Sequence, residues 1–196
     1  MSGSRSGDRA MPDNRKGQAM KRMLYCLFLL VAIAHPALSR DLSPAEQDSL
    51  RTQIERFQTA LSTQDFDVVG KTVPPKIFEF IAGEAGITAE QLRGALTAQM
   101  QMALAAVKIT EFTMDTQAIS LAQTSDGTPY ALIPTRTVME NGGQTIEAKS
   151  HTLALMDGAD WYLLRVSDQQ QVTILRKVYP SFAEVVFPDG SMQPVK

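Results

Sequence analysis

The sequence has little of what catalysis or covalent cross-linking usually requires. Its only cysteine is Cys26, and its two histidines are His35 and His151. One cysteine excludes a disulfide within the chain, and two histidines cannot build a zinc site without converging carboxylates. GxSxG nucleophile motifs, phosphate-binding loops and dinucleotide fingerprints are absent as well. We therefore predict no metal site and no cofactor.

The sequence also lacks an apolar run long enough to span a bilayer. The run at residues 23–34 has 12 residues before a histidine and a proline interrupt it, whereas a transmembrane helix needs about 20. Lipid attachment at Cys26 is rejected, because bulky residues precede this cysteine and the apolar run continues after it. We expect no stable membrane anchor.

A secretory signal peptide explains this region better. Residues 20–39 begin with two basic residues, continue as the apolar run, and end with small side chains at Ala37 and Ser39. This order is typical of a signal sequence, and it predicts cleavage before Arg40. We expect a periplasmic or secreted protein. Residues 1–19 are polar and are interpreted as a disordered or upstream extension, with either Met1 or Met20 as the start.

The chain after the predicted cleavage site has a length that is typical of one domain. We place this domain at residues 40–188 and expect a flexible tail at residues 189–196. Six of the 19 basic and two of the 21 acidic residues precede Arg40, which leaves a net charge of about −6. Without a basic block, nucleic acid and anionic membrane surfaces are disfavoured as partners.

Helices are predicted first along this domain. Ser43 and Glu46 form a capping box, and apolar residues spaced by three or four predict a helix over residues 44–62. Shorter helical pieces follow at 65–69 and 75–82. A further helix, capped by Thr88, extends to about residue 106.

The pattern then changes to strands. Extended runs at residues 109–123, 129–139, 144–156 and 161–166 are separated by turns that contain Asp-Gly or Asn-Gly, which predicts an antiparallel meander. Residues 168–182 fit either a helix or a fifth strand, and we favour the helix. The fold class is therefore α+β, with N-terminal helices on a curved sheet of four or more strands and a C-terminal helix.

Alternation along the strands assigns the side chains to two faces of the sheet. One face is bulky and should receive the helices; it carries Ile119, Leu121, Tyr130, Leu132, Val138, Leu153, Tyr162, Leu164 and Val166. The other is rich in Ala, Ser and Thr and could support a homodimer through sheet-to-sheet contact; it includes Ala131, Thr135, Ala148, Thr152 and Ala154.

Helices followed by a meander whose last strand opens with Gly158-Ala159-Asp160-Trp161 resemble the NTF2-like (cystatin-like, SnoaL-like) superfamily. The similarity covers about residues 43–166. It implies a cone that encloses a pocket between sheet and helices, often in a dimer. Members include ligand carriers, assembly factors and small-molecule enzymes, so this resemblance does not select one function.

Four polar or amphipathic residues on the bulky face form the predicted ligand site, namely Tyr130, Arg136, His151 and Tyr162. Arg136 is predicted to lie directly opposite Glu147, either as an ordinary cross-strand ion pair or as part of a clamp for an anion. His151 is either a hydrogen-bonded structural residue or a general base, and Glu147 is the other candidate base.

Three functions remain open. The first is a non-enzymatic exported domain that binds a small molecule or a protein partner. The second is a pocket enzyme of isomerase or hydrolase type that uses His151 or Glu147. The third is an accessory subunit of an envelope assembly. An empty polar pocket around His151 would favour the enzyme, whereas a filled cone would favour the other two.

Export is directly testable. We expect protein recovered from the cell envelope or medium to begin at Arg40, because the small residues before it fit signal peptidase. Intact mass spectrometry measures this end. A chain that remains in the cytoplasm and begins at Met1 or Met20 would contradict the prediction.

Overall fold

The computed structural model describes residues 42–105 and 107–195, so the predicted signal peptide lies outside the described residues. These described residues belong to one compact unit. Five helices and a curled antiparallel sheet of six strands confirm the predicted α+β class.

In the described part of the chain, four helices precede the sheet: α1 (Pro44–Ser62), α2 (Phe66–Thr72), α3 (Pro75–Ala85) and α4 (Ala89–Ala105). The capping box at the start of α1 is present, because Ser43 N donates to Glu46 Oε2 at 2.7 Å and Glu46 N donates to Ser43 Oγ at 3.3 Å. These two bonds satisfy backbone N–H groups that have no partner within the helix.

The sheet and the C-terminal region follow: β1 (Lys108–Met114), β2 (Ser120–Gln123), β3 (Pro129–Asn141), β4 (Gln144–Asp157), β5 (Asp160–Arg165), α5 (Gln169–Val178), a 3-10 turn (Pro180–Phe182) and β6 (Ser191–Pro194). The strand order is β1-β3-β4-β5, with β2 beside β3 and β6 beside β4. The helix prediction for the segment after β5 is confirmed.

The turn between β3 and β4 sets the register of the central hairpin. Asn141 lies opposite Gln144, and the two-residue turn contains Gly142 and Gly143 with φ values of 57° and 80°. Glycine adopts such values without steric cost. The hairpin was expected to centre one residue earlier, so each β3 residue meets a β4 residue two positions later than predicted.

The predicted first strand, residues 109–123, is instead two strands. Met114 lies opposite Thr135 whereas Ser120 lies opposite Leu132, so three extra residues enter between β1 and β2. The Asp115 carboxylate accepts hydrogen bonds from backbone N–H groups that follow it. Leu121 lies opposite Ala131, one residue away from the register that the 125–128 turn predicted. A one-residue shift moves each side chain to the other face, so the predicted faces of Ile119 and Leu121 were wrong.

Helix α1 covers the face rich in small residues, whereas the sequence predicted that the helices would cover the bulky face. The cluster there contains Leu42, Leu50, Ile54, Met114, Ala131, Ile133, Ala154, Trp161 and Leu163. Small side chains let the helix approach the sheet closely, and the large residues around them complete the packing. Ala131 and Ala154 have no exposed surface, so this face cannot form the sheet-to-sheet homodimer that the sequence suggested.

The C-terminal segment covers the opposite, bulky face. Buried residues of this cluster are Leu153, Leu155, Val166, Val172, Leu175 and Phe182, with Tyr130, Leu132, Leu164, Tyr179, Val185 and Phe187 packed around them. Helix α5 begins after Asp168, whose carboxylate accepts from Gln171 N at 2.9 Å. Both faces of the sheet are thus covered by the chain itself.

The tail predicted to be flexible contains a strand. Ser191 to Pro194 pairs with Lys149 to Ile146 of β4, and Val195 N donates to Thr145 O at 2.9 Å. Proline, glycine and polar residues before this strand favoured a loose tail in the sequence. The strand forms because β5 pairs only with Thr152 to Asp157 and leaves the rest of that β4 edge available.

Candidate functional site

Arg136 lies at the centre of an ion-pair network that spans three strands. Its guanidinium contacts Glu111 on β1 and, at 2.5 Å, Glu147 on β4. Lys149 Nζ lies 3.1 Å from the second Glu147 oxygen, and Gln193 of β6 donates to the same oxygen at 3.3 Å. Two carboxylates already hold Arg136, which makes it a poor receptor for a ligand anion.

The network forms by a geometry that differs from the expected one. Arg136 lies opposite Lys149, and Glu147 lies opposite Val138, so the predicted direct pairing of Arg136 with Glu147 was wrong. The register shift of two residues keeps all these side chains on one face, and the ion pair forms diagonally between neighbouring strands.

Glu147 is a weak candidate for a general base. The hydrogen bond from Arg136, with further ones from Lys149 and Gln193, lowers the pKa of Glu147 from 4.5 to about 2. A carboxylate with so low a pKa has little tendency to take a proton near neutrality.

His151 lies in a cavity of about 370 Å³ on the same face. Its Nδ1 atom is buried and has no hydrogen-bond partner among the described residues. Arg136, Asp115 and Lys149 also line the cavity, and Asp189 joins them from the segment before β6. General base catalysis needs a group that orients the imidazole, and this nitrogen receives no such support from the described part of the chain.

The two tyrosines lie at the other end of this face. Tyr130 and Tyr162 are both opposite Leu155, on either side of it. Tyr130 is six residues from Arg136 on β3, which corresponds to about 20 Å along a strand. The structure therefore brings Arg136 and His151 to one cavity but places the two tyrosines away from them.

Phe182 packs beside Tyr130 on this face. Its side chain is fully buried, and its ring lies 5.4 Å from that of Tyr130 and 6.4 Å from that of Phe187. Burial raises the pKa of Tyr130, as expected for a phenol that packs in an apolar cluster. This region of the bulky face holds a packed core.

A second polar cluster links the C-terminal segment to the N-terminal helices. Asp157 accepts from Lys76 Nζ of α3 at 2.7 Å and from the Tyr179 hydroxyl at 2.9 Å. Burial, followed by the hydrogen bond to Asp157, raises the pKa of Tyr179. The cluster holds α3, the end of β4 and the end of α5 together, which is a structural role.

A groove of about 640 Å³ follows β1, and it was not predicted from the sequence. Five consecutive residues of β1, Lys108 to Phe112, line it. The other lining residues come from the ends of α1 and α4 and from the β3–β4 hairpin: Gln58, Leu61, Ser62, Gln64, Leu104, Ala105, Val107, Glu140, Gly142, Gly143 and Thr145. No sequence pattern marks it, because edge position depends on the strand order.

The backbone of β1 is available along one edge. Among the described strands, β1 pairs only with β3. Asp115 N donates to Pro134 O at 2.8 Å. Because bonding alternates along an antiparallel pair, Thr113 and Glu111 also direct their backbone groups toward β3. Phe112, between them, directs its N–H and C=O to the open edge.

Within residues 42–105 and 107–195, no three His, Cys, Asp or Glu side chains are grouped as metal ligands. No helix in that part of the chain is long and apolar enough to cross a membrane. Neither the protein-family models, nor the curated proteins, nor the solved structures contain a match to the chain.

The network around Arg136 predicts a pH-dependent stability. Since folding lowers the pKa of Glu147 to about 2, its contribution is complete above its unfolded pKa and is lost as the pH falls from about 5 to 2. Glu147→Gln should therefore lower the free energy of unfolding at pH 7, and the difference from wild type should shrink in acid.

Urea denaturation at several pH values measures this difference. Glu184→Gln, which changes an exposed carboxylate in the segment after α5, is the matched control and should behave like wild type. A Glu147→Gln effect that is equal at pH 7 and pH 3 would show that the network does not act through the ionised carboxylate.

Proposed function

We propose that this chain is an exported, non-enzymatic domain of the NTF2-like type that binds a protein partner. In this proposal an extended segment of the partner adds to the edge of β1. The observation that carries it is the groove along five consecutive residues of a strand that pairs on one side only among the described strands. Export and the family assignment rest on the signal-like residues 20–39 and on the order of elements.

The covered sheet faces support a partner at the edge rather than a ligand in the cone. Phe182 and Leu175 are fully buried against the bulky face, and α1 buries the other. Arg136 is held by two carboxylates, and Glu147 is a poor base at neutral pH. A pocket enzyme would need an accessible acid–base pair, which these contacts do not provide.

The groove has the chemistry that strand addition uses. The edge backbone of β1 can bond the partner main chain, and this bonding depends little on sequence. Partly buried apolar side chains, including Leu61, Leu104, Ile109 and Phe112, can receive every second side chain of the partner. The expected ligand is an extended peptide with alternating apolar residues.

A second candidate function is the binding of a small molecule next to His151. The observations in its favour are that His151 lines a cavity of about 370 Å³ and that its buried Nδ1 atom lacks a partner within the described residues. A ligand-observed NMR fragment screen of wild type against His151→Phe tests it. Equal binding profiles for the two proteins would remove this candidate.

Selection from a library of displayed random peptides tests the leading proposal. We expect peptides with alternating apolar residues, and we expect Ser62→Arg to weaken their binding, because Ser62 is exposed and lines the groove. Fluorescence polarisation with a selected peptide measures the affinity. A copy of that peptide N-methylated at alternate residues should not bind, since it cannot form the edge hydrogen bonds.

Ser49→Arg is the matched control. Ser49 is an exposed serine on the same helix, its hydroxyl donates to a backbone carbonyl as that of Ser62 does, and it lies outside the groove lining. Ser49→Arg should bind like wild type. If Ser62→Arg and the N-methylated peptide bind as well as their unmodified counterparts, the β1 edge is not the binding site.

A further inference from the structure

The C-terminal strand β6 is held on the sheet mainly by its backbone. All four of its residues are exposed, including Met192 at 64%. Its partners are Ile146 to Lys149 of β4, reinforced by Val195 N donating to Thr145 O and by the contact of Gln193 with Glu147. The strand therefore buries little apolar surface, and its attachment depends on strand pairing.

A short hinge joins β6 to the core. Phe187 packs in the cluster under α5, and only Pro188, Asp189 and Gly190 separate it from the strand. Gly190 passes close to the sheet, since a Cβ there would lie 3.3 Å from both Lys149 O and Ser167 Cβ. Short hinges favour exchange between copies, because they limit the ways in which a strand can fold back onto its own chain.

The acceptor edge on β4 is the same in every copy of the chain. Strand β5 pairs with Thr152 to Asp157 and does not reach Ile146 to Lys149. Without β6, this part of β4 would present unpaired backbone groups, which readily bind another strand. A β6 strand from a second copy can pair with this edge in the same register, because it has the same sequence.

We propose that β6 exchanges between two copies of this protein, each strand pairing with residues 146–149 of the other copy. The exchange is reciprocal, so it produces a closed dimer with two-fold symmetry and retains the β4–β6 hydrogen bonds. This dimer differs from one formed through a sheet face, because α1 and α5 keep their positions. It does not use the edge of β1, which lies at the far side of the sheet.

Cysteine trapping tests the exchange in the chain from Arg40 onward, which contains no cysteine and includes the whole described unit. Lys149 and Ser191 are exposed and lie opposite each other, within the spacing that a disulfide requires. We mix Lys149→Cys protein with Ser191→Cys protein, allow equilibration at high concentration, and oxidise. We expect a disulfide-linked dimer of one chain of each kind, identified by mass spectrometry.

Two controls define the result. Val186→Cys changes a residue before the hinge that is 84% exposed. A mixture of this protein with Lys149→Cys protein measures linkage by random collision. The double variant Lys149→Cys/Ser191→Cys tests the register directly, because one β4–β6 pair contains both cysteines. Insertion of Gly-Ser-Gly after Asp189 lengthens the hinge and should reduce the mixed dimer toward the collision level.

Each outcome decides the proposal. The proposal is supported if the yield of mixed dimer is several-fold above that of the collision control and falls when the hinge is lengthened. Linkage at the collision level while the double variant closes within single chains would show that β6 stays on its own sheet. If the double variant forms no disulfide at all, the β4–β6 pairing is absent in solution and the proposal is overturned.

Discussion

The packing of Phe182 against β3 and β4 is the interaction on which the rest of this structure depends. Its side chain is fully buried, contacts the Tyr130 ring and lies in the same cluster as Leu153, Leu155 and Leu175. Burial of an aromatic side chain of this size contributes several times the stabilisation expected from an exposed contact. It fixes the C-terminal segment over a face that α1 cannot reach.

Because packed clusters cover both faces, our leading proposal places the partner at an edge of the sheet. Strand β1 provides one edge and also lines the groove, and the exposed strand β6 lies at another edge, on β4. An unpaired edge usually carries some protection against pairing with other chains. Here the β4 edge is covered by the chain's own β6, whereas no described strand covers the outer edge of β1.

Much of the fold could be predicted from local patterns. Ser43 with Glu46 and Thr88 with Gln91 form the expected caps. The glycine turns gave the hairpins, because such turns require local φ values that few residues adopt. The side chains of β3, β4 and β5 were assigned to the correct faces although the predicted β3–β4 register was wrong by two residues. An even shift keeps each side chain on its face.

The failures concern choices that local patterns do not determine. The turn at Asp115 adds three residues, and its length cannot be read from a run of residues that all suit strands. Which helix covers which face depends on the whole chain, so the burial of Ala131 and Ala154 was missed. The β1 groove and β6 depend on strand order and on where β5 ends, which are tertiary features.

The free energy of unfolding of Phe182→Ala tests the central claim most directly, with Phe187→Ala, a half-buried phenylalanine of the same cluster, as the comparison. Chemical denaturation measures both. If Phe182 fills the sheet face, its replacement should cost about 3–5 kcal/mol, the loss typical of a buried phenylalanine, and the Phe187 change should cost less. A Phe182→Ala protein as stable as wild type would contradict the account and indicate that this face is open.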